Sequence, residues 1–433
     1  MRLRALAVAV LIAACTPAAT IGPPSASPAQ SQAPASTGPS AAPERVAGWI
    51  DDLEMLIPEM DKIHPDLGHS TPVAELESAV ESLIDRIQAS NDDELMVGVL
   101  RIVAMVSAAG HDGHTGAFIW GTGTYPVHSL PLRLWLFPEG VYIVDALPPY
   151  EDLVGSKIAT VAGHPIADVL AALAPLIPRD NPATVTLLTP RFLLIPEVLH
   201  GLELIDAVGP VELGLATGPE QIDQTSIEPV SMADYNAWAG PYGLHLPDDP
   251  DVLYLSDAEN VLWSRDLGDG TLFVQYNRVE RVTTAVIEGI AAAAAAAQIR
   301  KIVVDIRHNF GGETFARSQV LDLLMSDAFG GKSLFVITGR NTFSAASLFA
   351  ADVDARTEAR FVGEPEGGSP NLYGNSREVR LPYSGIVVSV ATEYFETEPG
   401  ANNPYTKLDI PVPLTAADYF AGRDDPLEAI LSP

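Results

Sequence analysis

Thr338-Gly339-Arg340-Asn341-Thr342-Phe343-Ser344-Ala345-Ala346-Ser347-Leu348-Phe349-Ala350 is the stretch from which the rest of the chain can be ordered. It follows an apolar run, Ser333 to Ile337, that reads as a buried parallel strand. A helical pattern continues after it through Val353. Ser344 thus stands where a strand hands over to a helix. A serine there is exposed on a turn, and the helix N-terminus behind it offers free N–H groups and positive potential. A nucleophile needs such an accessible hydroxyl with an oxyanion site beside it. The same position suits a plain helix cap, and the local pattern leaves both readings open.

Two distant segments bear on the choice. One is Lys301-Ile302-Val303-Val304-Asp305-Ile306-Arg307-His308-Asn309-Phe310-Gly311-Gly312, and the other is Gly110-His111-Asp112-Gly113-His114-Thr115. Together with Gly363-Glu364-Pro365-Glu366-Gly367-Gly368, and in this order, they resemble the tail-specific (C-terminal processing) serine peptidase family. The closer likeness is to its branch with tricorn protease and the retinoid-binding-protein-like repeats. The resemblance runs from about Trp49 to Leu431. It implies a polypeptide substrate and catalysis through Ser344.

The base is where the chain departs from the best-known pattern. Where tail-specific proteases carry the lysine of a Ser/Lys dyad, this chain has Ser369, and Lys332 and Lys407 match no motif. The tricorn-like branch uses a histidine from the N-terminal half, and His114 stands at that position. A histidine accepts a proton near neutral pH without an unusual environment. His111 and His308 are the alternatives. For the oxyanion hole the expected donors are the backbone N–H groups of Gly311, Gly312 and Ala345, the glycines allowing close backbone approach. The third member of a triad is not readable. Gly113 stands where tricorn has the serine of its relay. Asp112, Glu364, Glu396 and Glu398 are acids near the motifs without an assignable role.

No metal or cofactor is expected. The nine histidines are scattered, and His111-x-x-His114 sits in a glycine loop without an evident third ligand. Gly311-Gly312 is not followed by the residues of a phosphate loop.

The chain begins with Arg2 and Arg4, then an apolar run from Ala5 to Ala14, too short to span a membrane. Residues 1–15 read as a secretory signal peptide, and Ile12-Ala13-Ala14-Cys15 resembles a bacterial lipobox with Cys15 as the lipidated residue. Cys15 is the only cysteine, so no intramolecular disulfide forms. Residues 16–43 are rich in Ala, Pro, Ser and Gly and carry no charge, the composition of a disordered tether. The implied location is the bacterial cell envelope, with the membrane reached through the lipid anchor alone.

The roughly 390 residues that remain exceed one typical domain. The net charge of −31 argues against nucleic acid and against docking on anionic lipid heads. Residues 44–124 read as helical. Val46, Ile50, Leu53, Leu56 and Ile57 recur at helical spacing, as do Leu76, Val80, Leu83, Ile84 and Ile87. Asn91-Asp92-Asp93-Glu94 opens a third helix that delivers the chain to His114. Residues 125–255 read as an insertion, either PDZ-like by resemblance or unrelated α+β. From 256 to 433 strands alternate with helices, which implies crossover units and a mostly parallel sheet. Within this part Thr283 to Ile299 and Thr314 to Met325 are expected helices. Val379 to Leu381 and Ile386 to Thr392 are an expected hairpin, and a last helix runs to Leu431.

The expected fold is therefore α/β, with an N-terminal helical region, a PDZ-like or α+β insertion and a C-terminal crossover α/β core. The expected function is an exported, lipid-anchored serine endopeptidase. The alternative is a non-catalytic peptide- or ligand-binding protein of the same fold.

Overall fold

The parallel core is built by strands that are apolar on both faces. In this computed structural model, Lys301–Asp305 pairs in parallel with Thr271–Tyr276 on one side and Ser333–Thr338 on the other. Arg360–Gly363 and Ile410–Pro411 extend the sheet in parallel, and Leu262–Asp266 closes its other edge antiparallel to Thr271–Tyr276. Ile302, Val304 and Ile306 share one buried cluster with Val336, Phe349 and Val353. Val303 faces the other way, with Phe273, Val362, Leu427 and Ile430. Both faces are covered, which is why Lys301 to Ile306 reads as a continuous apolar run and not as an alternating one. Helices Thr284–Ala294, Arg317–Leu324 and Ala345–Arg356 make the crossovers.

The structure describes residues 43–121, 125–218, 221–240 and 243–432. The leader, Cys15 and nearly all of the tether lie outside the described residues. Among the described residues no helix is long and apolar enough to cross a membrane.

Three helices, Pro43–Asp61, Val73–Ile84 and Asp92–Met105, open the described chain. Asn91 caps the third by accepting the Glu94 N–H at 2.9 Å. That helix buries Leu95, Met96, Val97, Val99, Leu100, Ile102 and Val103, so it is enclosed on most of its circumference. Asp52, on the first helix, is fully buried and accepts the Tyr383 and Ser384 N–H groups at 2.9 and 2.7 Å. Those residues form the turn of a long hairpin, Asn371–Arg380 with Val387–Glu396. The hairpin also pairs with Gly116–Ala117, directly after the His114 loop. Hydrogen bonds to a buried charge are among the stronger ones. Asp52→Ala is therefore expected to destabilise the fold by about 3 kcal/mol. The check is a lower urea midpoint at an unchanged denaturant slope.

The segment between the helices and the core is an antiparallel α+β arrangement. Its strands run in the order Leu132–Phe137, Gly140–Ala146, Lys157–Val161, Val211–Ala216 and Ile222–Ile227. Helices Ile166–Leu173, Pro182–Leu193 and Pro196–Gly201 lie between the third and fourth strands. The second of these matters for the site, because the residues just before it, Asp180 and Asn181, grip loops from both ends of the chain.

Several boundaries differ from the sequence expectation. The helix expected to Ile299 stops at Ala294, inside the seven-alanine run. The chain must turn there to enter the next strand, so topology overrides propensity. The last helix is two, Ala416–Phe420 and Asp425–Leu431, broken where Gly422 takes a φ of 67°. The hairpin is about twice as long as expected.

Candidate active site

Ser344 is held by a loop with little freedom. Thr342 Oγ1 donates to the Ile306 carbonyl at 2.8 Å and accepts the Gly339 N–H at 3.2 Å. The Phe343 N–H donates to the Asn309 carbonyl at 3.1 Å. The strand end that carries Asn309 is thereby tied to the turn that carries Ser344. Ser344 has φ 56° and ψ −127°, a conformation that a residue with a Cβ adopts only under constraint. It precedes helix Ala345–Arg356 but makes no capping hydrogen bond. A cap has an extended backbone and a side chain turned onto its own helix. Here the hydroxyl points away from the helix, to His114 Nε2 at 2.9 Å.

His114 comes from a loop 230 residues earlier. The Thr115 N–H donates to the Asp112 carboxylate at 2.9 Å, which closes the loop on itself. The Gly113 N–H donates to Asp180 Oδ1 at 2.6 Å. The Phe343 ring stacks on the imidazole, with centroids 4.7 Å apart and planes 21° from parallel. A Cβ on Gly113 would lie 2.8 Å from that ring, so only glycine leaves room for the stack. His114 Nδ1 is buried and has no side-chain partner among the described residues; the hydrogen bond that raises the His114 pKa is to the Tyr373 backbone. Burial lowers the His114 pKa, against the raising influence of the Asp112 charge and the Tyr373 backbone. The ring is therefore neutral at pH 7. With its proton on Nδ1, Nε2 is free to accept the serine proton.

The other candidate bases are placed elsewhere. His111 Nδ1 donates to the Asn371 carbonyl at 2.8 Å. His308 is half-buried and stacked on Tyr254, and it lines a cavity of about 30 Å³ with Trp135 and Arg307. Burial, reinforced by the Arg307 charge, holds its pKa well below the ordinary value. The lysines are engaged at a distance: Lys332 Nζ donates to the Ala328 carbonyl, and Lys407 pairs with Asp354. Ser369 Oγ donates to the carbonyls of Pro404 and Asp180. Ser347 is fully buried, and its Oγ donates to the Thr342 carbonyl at 3.1 Å.

Of the three expected oxyanion donors, one needs correction. The Gly311 N–H donates to Asn309 Oδ1 at 2.9 Å and is already engaged. The N–H groups of Gly312 and Ala345 have no partner among the described residues. Gly311 contributes its bareness instead. A Cβ there would sit 2.8 Å from Ala345 N and 2.9 Å from Ser344 Cβ, in the space beside the serine.

The acids near the motifs hold structure. Glu364 makes a two-pronged pair with Arg340 at 2.8 and 2.9 Å. Glu396 accepts the Gly400 N–H, and Glu398 bonds Asn403. Asp112 turns away from His114 Nδ1, toward two histidines that the sequence reading did not single out. His64 Nε2 donates to it at 3.0 Å, and His69 Nε2 lies 3.5 Å away. Burial opposes the Asp112 charge, but hydrogen bonds from His64, His69 and Thr115 outweigh it and bring the pKa to about 2. These three side chains have the composition of a metal site. The tautomer of His64 argues otherwise. Its Nδ1 accepts the Asp66 N–H at 3.1 Å, so Nε2 carries the proton and has no lone pair to offer. Single polar residues in a loop leave no periodic signal, and only the closeness of His64 to His69 in the chain hinted at the cluster.

No family model matches the chain, and no curated protein matches it. Among solved structures, mature CPAF complexed with lactacystin is similar at 14% identity and a TM-score of 0.60, over 89% of this chain and 97% of that one. Mature CPAF without the compound gives 14% identity and a TM-score of 0.58, over 89% and 96%. Tricorn protease matches at 12% identity and a TM-score of 0.44, over 89% of this chain and 36% of that one. The likeness to CPAF shows a shared α/β fold, and at that level the resemblance drawn from the motifs holds.

Proposed function

We propose that this chain is a serine peptidase that cleaves polypeptides through an acyl-enzyme on Ser344, with His114 as general base. The observation that carries the reading is the 2.9 Å contact between Ser344 Oγ and His114 Nε2, made by a serine in a strained turn at a helix N-terminus. In the first step Ser344 Oγ attacks the scissile carbonyl while its proton passes to His114 Nε2. The oxyanion is met by the N–H groups of Gly312 and Ala345. His114 then gives the proton to the leaving amine. Water, deprotonated by the same nitrogen, cleaves the ester and frees Ser344. No carboxylate steadies the imidazolium directly. The buried Asp112 charge acts through space, and the Phe343 ring keeps the imidazole in plane.

The test is turnover of a broad set of internally quenched peptides, with a burst of the first product when deacylation is slower than acylation. Peptide binding without cleavage would favour the second reading, a binding protein of this fold. The lack of a carboxylate on His114 Nδ1 among the described residues is the feature that keeps that reading in view.

Export and lipid anchoring belong to the same proposal. They rest on the sequence around Cys15, outside the described residues. Cys15→Ser is expected to move the protein from the membrane to the soluble fraction with its activity unchanged. Several acyl chains anchor firmly where one does so marginally. A parent protein that is soluble and unlipidated would contradict the anchor.

A further inference from the structure

We propose that Asp180 is a positioning residue: its carboxyl group clasps the His114 loop to the loop beside Ser344 and so sets the distance between base and nucleophile. This rests on the reading of Ser344 and His114 as the reacting pair.

The two partners lie at opposite ends of the chain, and something must fix their separation. Asp180 is 1% exposed. Its Oδ1 accepts the Gly113 N–H at 2.6 Å, one residue from His114. Its Oδ2 accepts the Ser369 N–H at 3.2 Å. Its backbone carbonyl takes the His111 N–H at 2.8 Å and the Ser369 hydroxyl at 3.3 Å. One buried residue thus holds both loops by side chain and by main chain.

The neighbouring residues make the grip rigid. Asn181 Oδ1 caps helix Pro182–Leu193 by accepting the Ala183 N–H at 2.8 Å. Its Nδ2 lies 2.9, 3.1 and 2.7 Å from the carbonyls of Glu366, Gly368 and Pro404. Thr184 Oγ1 donates to the Gly367 carbonyl at 2.5 Å. Gly368 in turn is packed against Ser344: a Cβ on it would sit 3.2 Å from Ser344 N and would collide with Ser347 Oγ. The path from His114 to Ser344 therefore runs through Gly113, Asp180, Ser369 and Gly368, in hydrogen bonds and one close contact.

Burial, helped by the Asp112 charge, pushes the Asp180 carboxyl up to about 8 against the pull of the Gly113 and Ser369 N–H groups, and either protonation state leaves an acceptor lone pair on each oxygen. Two N–H groups on opposite oxygens need two acceptors. An asparagine supplies one oxygen and turns an N–H donor against the other partner. An alanine supplies none. Displacing a catalytic group by about 1 Å costs on the order of 10²-fold in rate. Asp180→Ala is thus expected to lower kcat about 100-fold with KM within about twofold. Asp180→Asn, which keeps one of the two bonds, should fall between the parent and the alanine variant.

The experiment measures kcat and KM on a cleaved peptide, and the His114 imidazole titration by NMR in the full chain. A loosened loop lets water reach the ring, so its pKa, lowered by burial in the parent, should move up toward the ordinary 6.5 in Asp180→Ala. The NMR arm does not require turnover. It therefore tests the clasp even if the parent proves inactive, a result that would defeat the catalytic reading on its own. If Asp180→Ala does not fold, Asp180→Asn carries both arms. Variants with the parent's kcat and His114 titration overturn the proposal, as does a loss seen in KM alone.

Discussion

Ser344→Ala is expected to remove peptide hydrolysis, with kcat falling on the order of 10³-fold or more. Without Oγ there is no atom for the acyl group to occupy, and only the oxyanion donors and substrate binding remain. The fold should survive. Ser344 makes no capping hydrogen bond, so its hydroxyl holds nothing but His114. The melting temperature of the variant should match that of the parent. Ser347 provides the contrast, three residues on. It is buried, and its Oγ is bonded to the Thr342 carbonyl. Ser347→Ala should lower stability by about 1 kcal/mol and cost far less activity than Ser344→Ala. The reverse ranking, with both proteins folded, would mean that the nucleophile has been misplaced by one helical turn.

His114→Ala is expected to lower kcat/KM by about 10²- to 10⁴-fold, the range for removal of a positioned base. The pH profile of the parent tests the same assignment. Burial holds the His114 pKa below the ordinary 6.5. The neutral imidazole is the active form, so kcat/KM should rise with pH through a value below 6.5 and be level from there across neutral pH. A lysine base would place the rise well above neutrality. In His114→Ala the acid limb should vanish along with the rate. Unchanged kcat/KM in that variant would end the assignment.

The sheet was legible because its strands are buried on both faces and carry no competing pattern. Lys301 to Ile306 and Ser333 to Ile337 are strands in the structure with at most one residue of difference. The meeting of Ser344 and His114, 2.9 Å apart, was legible through the short motifs around them. Helix Pro182–Leu193 was not, since it carries Pro190 and three threonines, and Arg191 is buried within it. Its sequence lacks both the propensity and the polar face that mark a helix. The hairpin was underestimated because Asn375 to Glu378 is exposed and polar, which hides the alternation of its first strand. The engaged Gly311 N–H could have been foreseen, because an asparagine two residues before a glycine commonly accepts that N–H. Asp180 could not. Its partners, Gly113 and Ser369, lie 67 and 189 residues away. A lone aspartate in a loop gives no sign of what it will meet.

Activation of Ser344 by His114 can be tested by one labelling experiment without knowledge of the substrate. The folded protein is treated with a fluorophosphonate probe at neutral pH, and the adduct is located by peptide mass mapping. A single adduct is expected on Ser344, slowed strongly in His114→Ala and absent in Ser344→Ala. No adduct on the folded parent, or an adduct on another serine, would contradict that activation.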